Sequence, residues 1–311
     1  MPSYIETYKR GDLAKRIEKA YETLKECRIC PWECGVNRLS GEVGVCKTGE
    51  LPLISNYMPH FGEEAPLVGI NGSGAIFITY CNLKCVFCQT FEISHLGEGM
   101  EVSLEKFAEI MFSLQESGCH NINFITPSHV VPQILGALPI AIEKGLNIPL
   151  VYNTGGYDSV DTLKLLEGVF DIYMPDFKFW DEGVAERLSK VKDYPQVAKA
   201  AIHEMYRQVG DLKMDERGIA YRGLLVRHLI MPQGLAGTRE IMKFLATEIS
   251  PNTYVNVMGH YRPCGEADKY LPLNQNLTQE EYEEAIKITR KEGITRLDQT
   301  HAHLYPLIFG K

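Results

Sequence analysis

Gly74-Ala75-Ile76-Phe77-Ile78-Thr79-Tyr80-Cys81-Asn82-Leu83-Lys84-Cys85-Val86-Phe87-Cys88 is the stretch from which the fold is read. Its first half, Ala75 to Tyr80, is a short continuous apolar run behind Gly72-Ser73-Gly74, the pattern of a strand buried on both faces. Its second half sets cysteines at Cys-x3-Cys-x2-Cys spacing immediately past that strand. Three thiolates on one loop suit three corners of a cubane [4Fe–4S] cluster and leave the fourth iron open to a chelating ligand. A structural zinc completed by a distant Cys or His is the plainer alternative.

Outward from this strand the chain alternates strand and helix. Further strands are expected at Asn121 to Thr126, Pro149 to Asn153, Phe170 to Met174, Leu224 to Ile230 and Tyr254 to Met258. Between them lie helical stripes: one from Ser103, one near Val131 to Lys144 bent at Pro139, one from Ser159 to Glu167, and one striped by Val197, Ala201, Met205 and Val209. A helix capped by Thr238 follows, and a last one begins at the capping box Thr278-x-x-Glu281. Six such units with mostly continuous apolar strands imply an α/β fold with a parallel sheet under helices, read here as a partial (β/α)6 barrel. A full (β/α)8 barrel lacks strands. Ligands in such folds gather at the C-terminal strand ends, where the cysteine loop lies.

Before the barrel comes an N-terminal extension. An amphipathic helix from about Asp12 to Glu26 runs into Cys27-x2-Cys30-x3-Cys34-x11-Cys46. Four thiolates within twenty residues describe a self-contained metal site, and spacing does not separate Zn2+ from an auxiliary iron–sulfur cluster. Residues 47–73 read as irregular or short-strand structure. The expected organisation is therefore 1–73 as helix and Cys-rich extension, 74–263 as barrel, and 264–311 as a C-terminal helix and tail packing on it. Cys119 reads as a core thiol and Cys264 as a loop thiol.

The composition agrees with a soluble globular protein: 311 residues, 45% apolar, 23% charged, formal charge −8. No apolar run reaches the ~18 residues of a membrane span, and Met1 to Glu6 shows no signal-peptide core. A cytoplasmic location is expected. There, nine cysteines point to metal or catalysis before disulfides. The acidic balance disfavours nucleic acid as a partner.

The cysteine loop, with Phe87 at the position before its last cysteine, resembles the radical S-adenosylmethionine (SAM) superfamily. Later strand ends are similar to the pyruvate formate-lyase-activating-enzyme-related branch: Asn153-Thr154-Gly155-Gly156-Tyr157, Met174-Pro175-Asp176-Phe177-Lys178, and Arg227-His228-Leu229-Ile230-Met231-Pro232. The resemblance spans roughly Gly74 to Pro263. It implies a [4Fe–4S] cluster on Cys81, Cys85 and Cys88 whose open iron holds SAM. Reductive cleavage would then give a 5′-deoxyadenosyl radical for hydrogen abstraction. It further implies that Asp176 accepts from the cofactor's amino group, that Lys178 pairs with its carboxylate, and that Arg227 and His260 lie near its ribose or carboxylate. Asn153 and Thr154 fall at a ribose or monovalent-cation position, and Phe87 flanks the cofactor. Thr126-Pro127-Ser128-His129 replaces the usual Gly-Gly-Glu, leaving Ser128 or local carbonyls to meet the amino group.

An electron donor such as flavodoxin or ferredoxin is the implied partner. The implied substrate is a protein glycine, as in glycyl-radical enzyme activation; a radical lyase or rearrangement on a small molecule or nucleic acid is the rival. From another class, the same cysteines would serve a non-catalytic iron–sulfur electron carrier or a zinc-stapled binding protein. An Asp-x-Lys pair suited to an amino acid disfavours that class.

Overall fold

The structure is a computed structural model and describes residues 1–298. The chain opens with α1 (Ser3–Lys9) and α2 (Asp12–Glu22), the latter shorter than expected by four residues at its C-terminal end. β1 (Leu53–His60) and the short α3 (Ala65–Val68) precede β2 (Ser73–Ile78). There follow β3 (Met100–Glu101), α4 (Leu104–Glu116), β4 (Ile122–Ile125), α5 (Val131–Glu143), β5 (Leu150–Thr154), α6 (Val160–Leu165) and β6 (Ile172–Pro175). The remainder comprises α7 (Glu182–Ser189), α8 (Tyr194–Val209), β7 (Lys213–Met214), β8 (Ala220–Leu229), α9 (Thr238–Phe244), β9 (Tyr254–Met258) and α10 (Gln279–Lys291). The part of the C-terminal tail beyond residue 298 lies outside the described residues.

The fold is α/β with a parallel-rich sheet. β2, β4, β5, β6, β8 and β9 pair in that order, each parallel to the next. Strand order follows chain order without the reversal of a doubly wound sheet. Every residue of β5 and β6 is buried, as expected of central strands covered on both faces. Phe77, Ile125, Asn153, Asp176, Arg227 and Met258, from or just past all six strands, line one cavity, so the sheet is curved around it.

Local signals explain most helix starts. Ser103 Oγ accepts from Lys106 N at α4, and Thr278 and Glu281 close a reciprocal capping box at α10. Thr238 does not cap its helix. The N-cap is Gly237 in the left-handed region, and the Thr238 hydroxyl instead meets Nε2 of buried His228 at 2.9 Å.

β1 lies in the stretch read as irregular or short-strand structure and is eight residues long. It adds antiparallel to the free edge of β2, from Ile54 opposite Ile78 to His60 opposite Ser73, with a register shift between Ile54 and Asn56. That bulge and its mostly exposed outer half hide the period-two pattern. From His60 the chain passes through Glu63 and Glu64 into α3. Leu67, fully buried, packs there on Val151, Ile172, Met174 and Leu225. This strap crosses from the β2 edge to β9, where Asn256 Nδ2 donates to Glu64 Oε1 at 2.9 Å. It closes the seam between first and last parallel strands.

Candidate functional site

The cysteine loop leaves β2 through Tyr80 at φ 67°, a left-handed conformation that turns the chain sharply over the strand end. Cys81, Cys85 and Cys88 all line a cavity of about 420 Å3 at that end. Each sulfur has a hydrogen-bonding neighbour. Leu83 N–H donates to Cys81 Sγ at 3.3 Å, and Ser94 Oγ donates to Cys88 Sγ at 3.1 Å. The Ser189 hydroxyl meets Cys85 Sγ at 3.0 Å. Burial pushes the Cys81 thiol up to about 12 and the Cys85 thiol up to about 11, with Lys178 opposing the rise at Cys85. Ligation therefore releases protons that burial holds on these sulfurs.

Among the described residues no three His, Cys, Asp or Glu side chains stand close enough together to hold a single metal ion as they are. A cubane takes each thiolate on a separate iron. Three thiols of one loop opening onto one cavity, each beside a hydroxyl or N–H, fit the cubane. The residues present suit such a cluster.

Opposite the loop, β6 and β8 supply charge. Asp176, 7% exposed, binds Lys178 Nζ through Oδ2 and Arg227 Nε through Oδ1, the latter at 2.8 Å. Burial raises the Asp176 carboxyl, but the attraction of Arg227 and Lys178 outweighs it and holds the group below the usual carboxylate range. Lys178 is correspondingly held above its ordinary value: burial lowers it and Asp176 more than compensates. Arg227 also donates from Nη2 to Asn153 Oδ1 at 2.7 Å. Gly156, at φ +82°, lies so near that a Cβ there would meet the Asp176 carbonyl at 2.2 Å, so this glycine packs the loop after β5 against the end of β6.

The structure brings Asn153, Thr154, Asp176, Lys178, Arg227, His260, Phe87 and the three loop cysteines to the same cavity. Thr154 also donates to Asp158 Oδ2 at 2.7 Å, and Phe87 packs edge-on against Phe179. Ser128 is 2% exposed, shares a 3.0 Å hydrogen bond with Thr154, and is not among the lining residues. His129 is buried with Nε2 at 3.0 Å from the Thr79 carbonyl, and burial lowers it to about 3, so it stands as a neutral core histidine. Sequence reading missed His60, Glu63, Glu64 and Asn256, which also line the cavity. The Glu63-Glu64 pair was visible, but nothing local showed that the strap turns it inward.

The N-terminal cysteines sit beside this site. Cys27 N donates to Val36 O at 2.9 Å and Gly35 N to Cys27 O at 3.1 Å, folding Cys30 and Cys34 into one tight loop. Burial raises the Cys30 thiol, and Cys46, Cys27 and Cys34 each raise it further, while a backbone hydrogen bond from Trp32 opposes the rise. Trp32 Nε1 donates to the Asn82 carbonyl of the cavity loop at 2.6 Å. Fully buried Arg38 anchors the segment through the carbonyls of Gly49 and His129. Cys119 is a core thiol at 4% exposure.

These features define an α/β protein whose parallel-rich sheet carries a three-cysteine loop and an Asp–Lys–Arg group, centred on buried Asp176, on one cavity. By sequence the chain belongs to the family of the uncharacterized protein MJ0674 of Methanocaldococcus jannaschii, with 33% identity over 298 residues, 93% of this chain and 82% of that one. No family model matches. Among solved structures, Streptococcus suis SuiB bound to precursor peptide SuiA is similar at TM-score 0.47 and 13% identity, over 70% of this chain and 46% of that one. TYW1 with a lysine-pyruvate adduct bound gives TM-score 0.38 at 13% identity, over 64% and 71%. The chain thus spans less than half of the SuiB chain. Among the described residues no helix is long and apolar enough to cross a membrane.

Proposed function

We propose that the chain is a radical SAM enzyme built on a partial (β/α)6 barrel. One observation carries the reading: the sulfurs of Cys81, Cys85 and Cys88 share a cavity with a buried carboxylate and two half-buried cations at the ends of neighbouring strands. Such a cluster, with SAM on its open iron, supplies a 5′-deoxyadenosyl radical for hydrogen abstraction. The chain's residues do the rest. Asp176 accepts from the amino group of the bound amino acid end, and Lys178 pairs with its carboxylate. Arg227 orients Asp176 and holds the Asn153 amide for the ribose or a monovalent cation. Phe87, Leu83 and Leu229 keep water off the reacting face.

The N-terminal cysteines form a second metal group, zinc or iron–sulfur, clamped to the cavity loop through Trp32. A flavodoxin- or ferredoxin-type donor in the cytoplasm fits a cluster that must be reduced. A protein glycine as substrate, or a radical lyase or rearrangement reaction, rests on the branch resemblance alone. A carrier without catalysis is disfavoured by the Asp176–Lys178–Arg227 group, since electron transfer needs no amino-acid recognition. The test is anaerobic reconstitution with iron and sulfide, reduction, and assay for 5′-deoxyadenosine from SAM. A cluster-loaded chain that forms none is not this enzyme.

A further inference from the structure

The cysteine loop is followed by one wide helical turn, Glu92–Leu96, whose side chains the cofactor reading leaves unused. Single turns of this π type are rare and occur frequently at functional sites. Backbone bonds fix the turn to the loop: Tyr80 N donates to the Ile93 carbonyl at 3.1 Å, and Ser94 N to the Thr90 carbonyl at 2.9 Å. Ser94, 6% exposed, is thereby held against the last cysteine, and Cys88, Ser94 and His95 all line the cavity.

Ser94 Oγ donates to Cys88 Sγ at 3.1 Å, and the same oxygen stands 2.7 Å from His95 Nδ1. A serine hydroxyl carries one proton. With that proton directed at the sulfur, the contact with His95 is a hydrogen bond only if Nδ1 carries a hydrogen and donates it to Oγ. The result is a relay from the His95 ring through the Ser94 hydroxyl to the Cys88 sulfur. The ring is itself held in place: Phe91 stacks on it, with centroids 4.2 Å apart and planes 11° apart. Gly265, at φ +57°, makes room for that stack, because a Cβ there would meet the Phe91 ring at 2.6 Å. The other two sulfurs are served differently. Cys81 receives a backbone N–H, and in the Cys85–Ser189 contact either atom can donate. The Thr90 hydroxyl, exposed and 3.5 Å from Cys88 Sγ, is the longer contact to that sulfur.

We propose that Ser94 and His95 are positioning residues that set the reduction potential of the cluster held by Cys88. The proposal rests on the reading of Cys81, Cys85 and Cys88 as cluster ligands and adds how this chain tunes one of them. Hydrogen bonds to the ligand sulfurs are among the determinants of iron–sulfur potentials. A donor that draws charge from the sulfur favours the reduced form, which holds the extra electron, over the oxidised form. His95 reinforces that donor, since a hydroxyl that accepts one hydrogen bond is polarised to donate its own more strongly. Reduction brings one electron from an external reductant. The Ser94 proton stays on Oγ throughout, and no covalent bond forms or breaks.

The full-length chain, reconstituted anaerobically with iron and sulfide, is titrated with dithionite in the presence of redox mediators, the reduced cluster being read by EPR. The signal followed is the one that changes on adding SAM, which marks the cluster with the open iron. Ser94→Ala should lower the potential, so that at the wild-type midpoint the ratio of reduced to oxidised cluster falls about tenfold, equivalent to ~59 mV for one electron. His95→Phe, which keeps a ring against Phe91, should shift it in the same direction by a smaller amount. Ser94→Thr keeps the hydroxyl, and His95→Asn supplies an Nδ2–H where Nδ1–H stood, so both should stay near the wild type. Iron content should match the wild type in all four. An unchanged potential in Ser94→Ala overturns the proposal. So does a potential in His95→Phe that is unchanged or raised, because a ring that accepts from Ser94 would compete with the sulfur for its proton. If Ser94→Ala binds no cluster, His95→Phe against His95→Asn decides, and equal potentials in these two overturn it. A wild-type chain that forms no SAM-responsive cluster defeats the enzymatic reading and the relay together. Formation of 5′-deoxyadenosine with a potential indifferent to both residues defeats only the relay.

Discussion

Arg227 Nε donates to Asp176 Oδ1 at 2.8 Å across an isolated parallel bridge that joins the ends of their two strands. The bond couples sheet and site, because Asp176 is a buried charge and Arg227 is its largest attraction. Removing the guanidinium leaves Asp176 with Lys178 alone and strips Asn153 of its donor. Arg227→Ala should therefore cost about 3 kcal/mol of stability, read from the urea midpoint of the apo chain. Adding Asp176→Asn should recover part of that loss, since the uncompensated charge goes with it. A loss below about 1 kcal/mol, the ceiling for an exposed pair, would contradict the burial argument.

Cys85 tests the cluster assignment. Its sulfur is 7% exposed and hydrogen-bonded to Ser189, so Ala in its place removes a ligand and opens only a small cavity. Cys85→Ala should fold, lose the iron bound by the loop and form no 5′-deoxyadenosine. Retained SAM cleavage in this variant would remove the cluster from the loop.

The N-terminal group is tested by metal content. With both sites loaded, reconstituted protein should contain four irons and one zinc per chain, or eight irons. Cys27→Ala should lose the second portion and keep the first. Because Trp32 donates to the Asn82 carbonyl inside the cavity loop, this variant should also lower stability. Four irons and no zinc in the native sequence would mean that these thiols hold no metal.

Much of this arrangement was legible because it depends on local order. The six parallel strands were bounded by turn signals and mostly apolar, and the cysteine loop followed one of them directly. Thr278 and Glu281 announced a helix that the structure forms. What stayed hidden depends on closure of the sheet. Glu63 and Glu64 are two charged residues in an irregular segment, and only the pairing of β1 with β2 and of Glu64 with Asn256 carries them into the cavity. Ser128 reads as a site residue from its place after β4, yet its hydroxyl is engaged below the cavity by Thr154. The Asp176–Lys178 spacing showed that both face one way, but not that Arg227 and Lys178 would share the carboxylate.

Burial raises the Glu64 carboxyl to about 7 from an ordinary 4.5, with Arg227 opposing the rise. Between those values the folded chain keeps a proton that the unfolded chain has lost. Stability from this group is therefore full below about 4.5 and falls as pH rises to about 7, by roughly 3 kcal/mol. Glu64→Gln has nothing to titrate there. The wild-type advantage over Glu64→Gln, measured by urea denaturation at a series of pH values, should shrink by that amount from pH 4.5 to 7.5. A pH-independent difference would mean that Glu64 is ionised throughout.

Under the proposed function, Asp176 and Lys178 are the residues whose substitution tests cofactor recognition most directly. They stand two apart just past β6 and both line the cavity, as residues of one extended segment do. In the structure they bond each other, so an amino acid end entering between them exchanges one ion pair for two, its amino group taking Asp176 and its carboxylate taking Lys178. The two side chains are already ordered by Arg227 and by burial, which lowers the cost of that exchange. Each charge-assisted contact is worth roughly 1.5–3 kcal/mol, or about ten- to a hundredfold in affinity. Asp176→Asn and Lys178→Ala should each weaken SAM binding on that scale in anaerobic equilibrium titrations. Iron content should stay near that of the wild type, because neither residue supplies a sulfur. Unchanged affinity in both variants would move the pair from the cofactor to the substrate and leave the cysteines as the main support for the enzymatic reading.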